Sequence, residues 1–198
     1  MFEIFERYII AEAVLTPDEL QFIRSLSVSK KIRRRQFLLR EGEVARHKIF
    51  VCQGLLRAFR RKDDGTEYIM RFAAENDWIT DIESFHNQTP SKLNIDALED
   101  SSVVLWTKED FIMLTESIPR LNNYVSKLMA NSMHAVQGRI LGNISYTNEE
   151  KYQEFVNTYP DVFRRVPLHM VASYLGISRE TLSRIRHAQI NRSSHDQG

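Results

Sequence analysis

The chain has 198 residues, 42% of them hydrophobic and 27% charged, with a formal net charge of +1, which places it among ordinary soluble globular proteins long enough for two modest domains. Cys52 is the single cysteine, so an intrachain disulfide and an iron–sulfur cluster held by several thiolates are excluded, and its place in Ile49-Phe50-Val51-Cys52 suits a buried, inert thiol. No run reaches the ~18–20 apolar residues of a membrane span, and the acidic amphipathic start MFEIFERYIIAEAVL lacks the positive region of a secretory leader, so the expectation is a cytoplasmic protein without a membrane partner.

Residues 2–14 read as a helix, and Thr16-Pro17-Asp18-Glu19 starts a second through about Leu26, with Thr16 as N-cap and Pro17 as first helical residue. From Val28 the period changes. Short β-like runs follow at Lys31–Leu39, Ile49–Val51, Leu55–Arg60, Tyr68–Ala73, Leu93–Leu98 and Val103–Thr107, separated by turn signals such as Gln53-Gly54 and Asp64-Gly65. Such spacing predicts a sandwich or barrel. The run Lys30, Lys31, Arg33, Arg34 and Arg35 reads as solvated strand residues flanking Ile32 and Phe37. It lies far from the basic C-terminal region and has no interleaved aromatic for base stacking.

Lys108–Glu116 is predicted as a short helix, and Pro119 opens a long one from Arg120 to about Ile144. Leu121, Tyr124, Val125, Leu128, Met129, Ser132, Val136, Ile140 and Leu141 give it an apolar stripe near heptad spacing, more than one neighbour can cover. That stripe predicts a seam between two copies. Asn148 starts a further helix through Asn157, and Pro160 ends that region. Asn191–Gly198 is a polar tail.

Val166–Arg186 carries the most specific pattern. Leu168, Val171, Ala172 and Leu175 recur at helical spacing behind Pro167, and Gly176 sits where a left-handed C-cap is easiest. Ser178 caps a second helix whose Leu182 and Ile185 face the first. Two helices across a tight glycine turn form a helix-turn-helix pattern. Its outer side holds Arg179, Glu180, Thr181, Ser183, Arg184 and Arg186. Residues 164–198 hold six arginines against Glu180 and Asp196, whereas residues 1–163 hold 21 basic and 24 acidic residues, so positive charge gathers where nucleic acid would lie. Arg179 and Arg184 suit bidentate pairing to guanine, and Glu180 suits cytosine N4. Ser178, Thr181 and His169 suit phosphates.

Ile177-Ser178-Arg179-Glu180-Thr181-Leu182-Ser183-Arg184-Ile185 resembles the recognition helix of the Crp/Fnr superfamily of bacterial transcription regulators. Leu39-Arg40-Glu41-Gly42-Glu43 and Gln53-Gly54-Leu55-Leu56-Arg57 resemble, less specifically, the first turn and hairpin of its sensor. The resemblance implies an α+β protein: a cyclic-nucleotide-binding-like β-roll (a double-stranded β-helix) over residues 1–118, a dimerisation helix over 119–144 and a DNA-binding helix-turn-helix domain over 145–198. It also implies a homodimer on a palindromic operator in double-stranded DNA, with RNA polymerase as a protein partner and Arg179, Glu180 and Arg184 reading bases. With about ten residues after His187, no wing is expected, and the flanks Arg164 and Arg165 are expected to add DNA grip.

The sensor departs from the family. Members that bind cyclic AMP carry a glycine and a glutamate, then an arginine and a serine or threonine, around the cyclic phosphate. Thr80, Asp81 and the neighbourhood of Ser91 stand at the first three of those positions here, and Lys92 offers only a point charge in place of a guanidinium fork. The effector pocket is therefore expected around Asp81, Ile82, Glu83, Ser91, Lys92 and Tyr124, with cyclic AMP disfavoured and no cofactor beyond an unidentified small effector. Asp77, Asp81, Glu83 and His86 form only a loose metal-like set, and neither a metal site nor an enzyme's catalytic constellation is expected. The competing reading is a ligand-binding β-roll whose helical C-terminus serves assembly.

Overall fold

The computed structural model describes residues 1–195, with side chains through Gln189. Two helices, α1 (Phe2–Glu12) and α2 (Pro17–Ser25), lead into the strands β1 (Val28–Ile32), β2 (Phe37–Leu39), β3 (His47–Gln53), β4 (Leu56–Arg61), β5 (Glu67–Ala73) and β6 (Trp78–Ile79). A short α3 (Ile82–Asn87) precedes β7 (Asn94–Ala97) and β8 (Ser101–Thr107). The rest is helical: α4 (Lys108–Ser117), α5 (Pro119–Ser145), α6 (Asn148–Thr158), α7 (Pro160–Arg165), α8 (Leu168–Leu175) and α9 (Arg179–His195). Residues 196–198 of the polar tail lie outside the described residues. No helix among those described is long and apolar enough to cross a membrane.

Two antiparallel sheets, ordered β1-β8-β3-β6 and β2-β7-β4-β5, face one another as a roll. Adjacent strand residues point to opposite faces, and both faces of the first sheet are covered. Ile49 and Val51 of β3, with Val103 and Leu105 of β8, enter the core between the sheets. Phe50, Cys52, Val104 and Trp106 point outward into a second core with α1, α2 and the start of α5. That is why β3 is a continuous apolar run rather than an alternating one. Phe2, Phe5 and Ile9 share the buried side of α1, and the Phe5 ring lies 4.8 Å from Trp106 and 5.1 Å from Phe50. Thr16 and Glu19 complete a reciprocal capping box at the start of α2.

Cys52 is buried, and its thiol donates to the Met1 carbonyl. Burial pushes it up to about 11, so little thiolate exists near neutral pH. A thiol reagent at pH 8 is expected to label the native protein at least tenfold more slowly than the denatured chain. Equal rates in a stopped-flow labelling assay would contradict this placement.

The expected strand Lys31–Leu39 is two strands. Arg33–Gln36 turn back instead, with Arg35 in the left-handed region at φ 66° and its N–H on the Ala97 carbonyl. Lys30, Lys31, Arg33, Arg34 and Arg35 are solvent-exposed around the buried Ile32. Pro160 does not end the helical region. It occupies the first turn of α7, where its missing N–H costs nothing.

Three features dock the C-terminal helices on the second sheet. Leu55, Ile69 and Phe72 share a core with Tyr152, Phe155, Val162, Val171 and Leu175. At the free edge of β5, the Ser173 hydroxyl of α8 accepts from the Ile69 N–H (3.0 Å) and donates to the Glu67 carbonyl (2.6 Å), pairing backbone groups that no further strand meets. Arg165 forms two-pronged ion pairs with Glu75 and Glu99, all at 2.7–3.1 Å. Glu75 also accepts from the N–H of Gly54, at φ 98°. A Cβ on Gly54 would fall 2.2 Å from Ser101 Oγ, so this turn requires glycine.

Candidate nucleic-acid interface

The helical pair α8–α9 is built as its sequence pattern requires. Gly176 takes φ 69°, and the Ile177 N–H returns to the Ala172 carbonyl. Ser178 Oγ accepts from the Thr181 N–H at 3.1 Å and caps α9. Leu182 and Ile185 are 0% and 4% exposed against Val171, Ala172 and Leu175, and each contributes about 1.5–3 kcal/mol of apolar burial. The outer face is thereby held on a rigid support.

Arg179, Glu180, Ser183 and Arg184 share that outer face, and His187 joins them. Sequence reading missed His187. It stands one turn beyond Ser183, a spacing that could have revealed it, and its ring Nδ1 lies 2.7 Å from the Ser183 carbonyl. Backbone N–H groups at the helix start, then the Ser178 hydroxyl, hold the Glu180 carboxyl below its usual range. It is therefore an ionised acceptor at neutral pH. Arg184 reaches Thr181 Oγ1 at 3.3 Å. Ser178 Oγ, used as a cap, also donates to Thr181 Oγ1, which accepts from Arg184 as well. Arg186 projects from a different side, near Tyr152, and His169 is exposed at the start of α8.

The flanks behave differently from expectation. Arg164 pairs with Asp161, and Arg165 is held against the roll by Glu75 and Glu99, which keep its guanidinium charged more firmly than usual. Arg165 is thus a tie between the roll and α7 and does not offer a free cation.

In the roll, the expected effector residues separate. Asp81 caps α3: its Oδ1 accepts from the Ser84 N–H at 3.2 Å, and its Oδ2 accepts from Ser91 Oγ at 2.7 Å. Both side chains are buried. Ser84 Oγ in turn accepts from the Ala45 N–H and donates to the Thr89 carbonyl, so the segment's polar atoms satisfy one another. Glu83 and Lys92 form an exposed pair at 3.6 Å, and Ile82 is exposed. Tyr124 stands apart from all of these. Its hydroxyl accepts from Trp78 Nε1 at 2.8 Å and meets the Tyr8 hydroxyl at 3.0 Å in the core under α1, and burial raises its pKa strongly.

A cavity of about 450 Å³ does open in the roll, and none of the six expected residues lines it. Leu39, Ile49, Ile95 and Leu105 form its floor, and Lys30, Arg46 and His47 stand at its rim. Burial first, then Lys30 and Arg46, push the His47 ring below its ordinary pKa. Leu39 and Glu43 of the turn that the resemblance singled out, and Thr80 at the first position of its cyclic-phosphate set, also line this cavity, whereas Lys30, Arg46 and His47 share no period that would mark them. Among the described residues, no three His, Cys, Asp or Glu side chains converge as metal ligands.

Residues 29–117, the roll and α4, match the model of the cyclic nucleotide-binding domain. The anaerobic regulatory protein of Bacillus subtilis is 21% identical over 127 residues, covering 64% of this chain and 53% of that protein. The chain thus spans about half the length of that relative. The transcriptional activator protein Anr of Pseudomonas aeruginosa is 24% identical over 167 residues, covering 79% of this chain and 68% of that protein. Among solved structures, FixK2 of Bradyrhizobium japonicum superposes with a TM-score of 0.73 at 18% identity, over 84% of this chain and 86% of that one. The catabolite activator protein of Thermus thermophilus gives 0.55 at 20% identity, over 90% and 85%. The chain thus carries a roll of the cyclic nucleotide-binding kind and, with its long helix and glycine-turned helical pair, shares the fold of FixK2.

Proposed function

We propose that the protein is a homodimeric, sequence-specific DNA-binding transcription regulator, in which Arg179, Glu180 and Arg184 read base edges of a two-fold symmetric operator. The observation that carries this reading is the outer face of α9: two arginines, an ionised glutamate, Ser183 and His187, open to solvent on a helix locked by Leu182 and Ile185. Residues near the start of a recognition helix are the ones that reach the major groove. His169 and the backbone at the start of α9 take phosphates.

Dimerisation through α5 is supported by how its stripe divides. Leu121 and Tyr124 are buried on the roll, whereas Met129, Met133, Val136, Ile140 and Ile144 leave 45–80% of their surfaces exposed. A second copy of the same stripe is the self-complementary cover for such a face.

The roll is proposed to take a small effector other than cyclic AMP. Asp81 puts a carboxylate at the start of α3 and closes on Ser91, so a phosphate meets like charge and no arginine fork. The effector would sit instead in the cavity where Lys30 and Arg46 stand with Glu43 around an apolar floor, a mixed charge that does not single out a phosphate.

Selection of bound sequences from a random duplex pool, with and without cyclic AMP, tests this reading. An inverted repeat bound by two chains per duplex is expected, unchanged by cyclic AMP. Recovery of no common sequence would overturn the regulator, and a cyclic AMP-dependent shift would overturn the reading of the roll.

A further inference from the structure

A second cavity, about 260 Å³, lies between α5, α6 and α8, where the long helix meets the C-terminal unit. We propose that it is a binding site for a small planar aromatic molecule carrying both a hydrogen-bond donor and an acceptor. Its walls are rings: Tyr146, Tyr159 and Tyr174, with Phe155 packed 5.1 Å from Tyr174 and 5.5 Å from Tyr159. Tyr146 and Tyr159 leave 42% and 36% of their surfaces exposed, so ring faces remain open to stacking.

The α5 side of the cavity is made by glycine. Gly138 and Gly142 sit one turn apart, inside a helix where glycine is unfavourable relative to alanine. Gly142 is explained by packing, because a Cβ there would lie 3.1 Å from the Tyr146 ring. Gly138 is not: its Cβ would meet nothing within 4 Å, and the space stays open onto the cavity. At about 100° per residue, Gly138 lies on the opposite side of α5 from Met129, Met133, Val136 and Ile140. A second copy seated on that apolar stripe leaves the cavity accessible.

Polarity fixes the ligand class further. Lys151 holds the Asn143 carbonyl at only 3.3 Å, and Glu154 accepts from Thr158 at 3.3 Å, so one cation and one anion at the lining have capacity to spare. Arg139, by contrast, is committed to three backbone carbonyls. A neutral ligand with a donor for Glu154 and an acceptor for Lys151 satisfies both, whereas a net charge is favoured by one and opposed by the other. The volume is below the range typical of drug-sized ligands, which limits the occupant to about one ring with a short substituent.

Titration of the full chain with benzamide, followed by amide and aromatic NMR shifts, tests the proposal without reference to DNA and so independently of the regulator reading. Saturable shifts at Gly138, Tyr146 and Tyr174 are expected, with cyclohexanecarboxamide and benzoate each binding at least fivefold more weakly. Gly138→Leu, which fills the cavity from α5, is expected to weaken benzamide at least tenfold while thermal melting shows an intact fold. Thr158→Phe, which fills it from α6, serves the same purpose if the first variant does not fold. Absence of saturable binding, equal binding of the saturated ring, or a folded filled variant that binds like the wild type would each overturn it.

Discussion

Arg139→Ala is expected to destabilise the attachment of the C-terminal helices to the roll by about 3–4 kcal/mol, because three charge-assisted hydrogen bonds and a cation–π interaction disappear together. Its guanidinium, carried by α5, donates to the carbonyls of Met70 (2.6 Å) and Ile69 (3.2 Å) on β5 and of Tyr174 (2.7 Å) on α8. It also lies 4.0 Å from the centre of the Tyr174 ring. One side chain therefore joins the long helix, the edge of the roll and the first helix of the helix-turn-helix. Ser173 and Arg165 tie the same surfaces and remain in the variant, so the chain should still fold. What should change is the stability of that attachment. Hydrogen exchange is expected to show the amides of α6–α9 opening at lower free energy than in the wild type, while those of β3 and β8 stay unchanged. Arg139→Lys should recover little, because an ammonium has no planar fork to span three carbonyls. Unaltered exchange in the alanine variant would show that the apolar packing of Phe72, Phe155 and Tyr174 suffices alone.

How much of this was legible in the sequence depended on whether a feature was periodic. The α8–α9 pair was fully readable, because Leu168 through Leu175 repeat at helical spacing, Gly176 punctuates them, and Ser178 caps α9. The long helix α5 and the roll were readable as types of structure. Boundaries failed where punctuation was unusual: the turn at Arg33–Gln36 holds neither glycine nor proline and puts Arg35 at positive φ, so it reads as strand. Proline at the start of α7 reads as a terminator although it is equally a helix opener. The sites failed for a different reason. Lys30, Arg46 and His47 converge only once β1 and β3 lie in one sheet, and Arg165 meets Glu75 and Glu99 across 90 and 66 positions. Tyr124 fell into the wrong group for the same cause: helical spacing gives a side of α5, but not which aromatic from α1 or β6 awaits it. In charge terms, Arg165 looks like part of a basic tail, and only the acidic partners of the roll reassign it.

Arg184→Ala is expected to weaken operator binding by about 2–6 kcal/mol, that is about 1–3 kcal/mol for a bidentate base contact, twice over in a symmetric dimer. The side chain is exposed on the outer face of α9 and hydrogen-bonds Thr181 at 3.3 Å, so removing it leaves the helix packing of Leu182 and Ile185 untouched. The expected pattern matters more than the size. Preference should relax at one symmetric pair of base positions, while the salt dependence of affinity stays near that of the wild type, because a base contact reads sequence and a phosphate contact releases counterions. His169→Ala should do the reverse if it holds a phosphate: a smaller loss, uniform over sequences. Glu180→Gln separates a third role. With the carboxylate charge removed, affinity for random duplex should rise as repulsion from phosphates falls, while discrimination at the position it reads declines. Binding isotherms on the selected operator and on a scrambled duplex, at several salt concentrations, distinguish the three. If Arg184→Ala lowers affinity equally for both duplexes and flattens the salt dependence, the side chain is a phosphate clamp, and base reading must fall to Arg179 and Glu180.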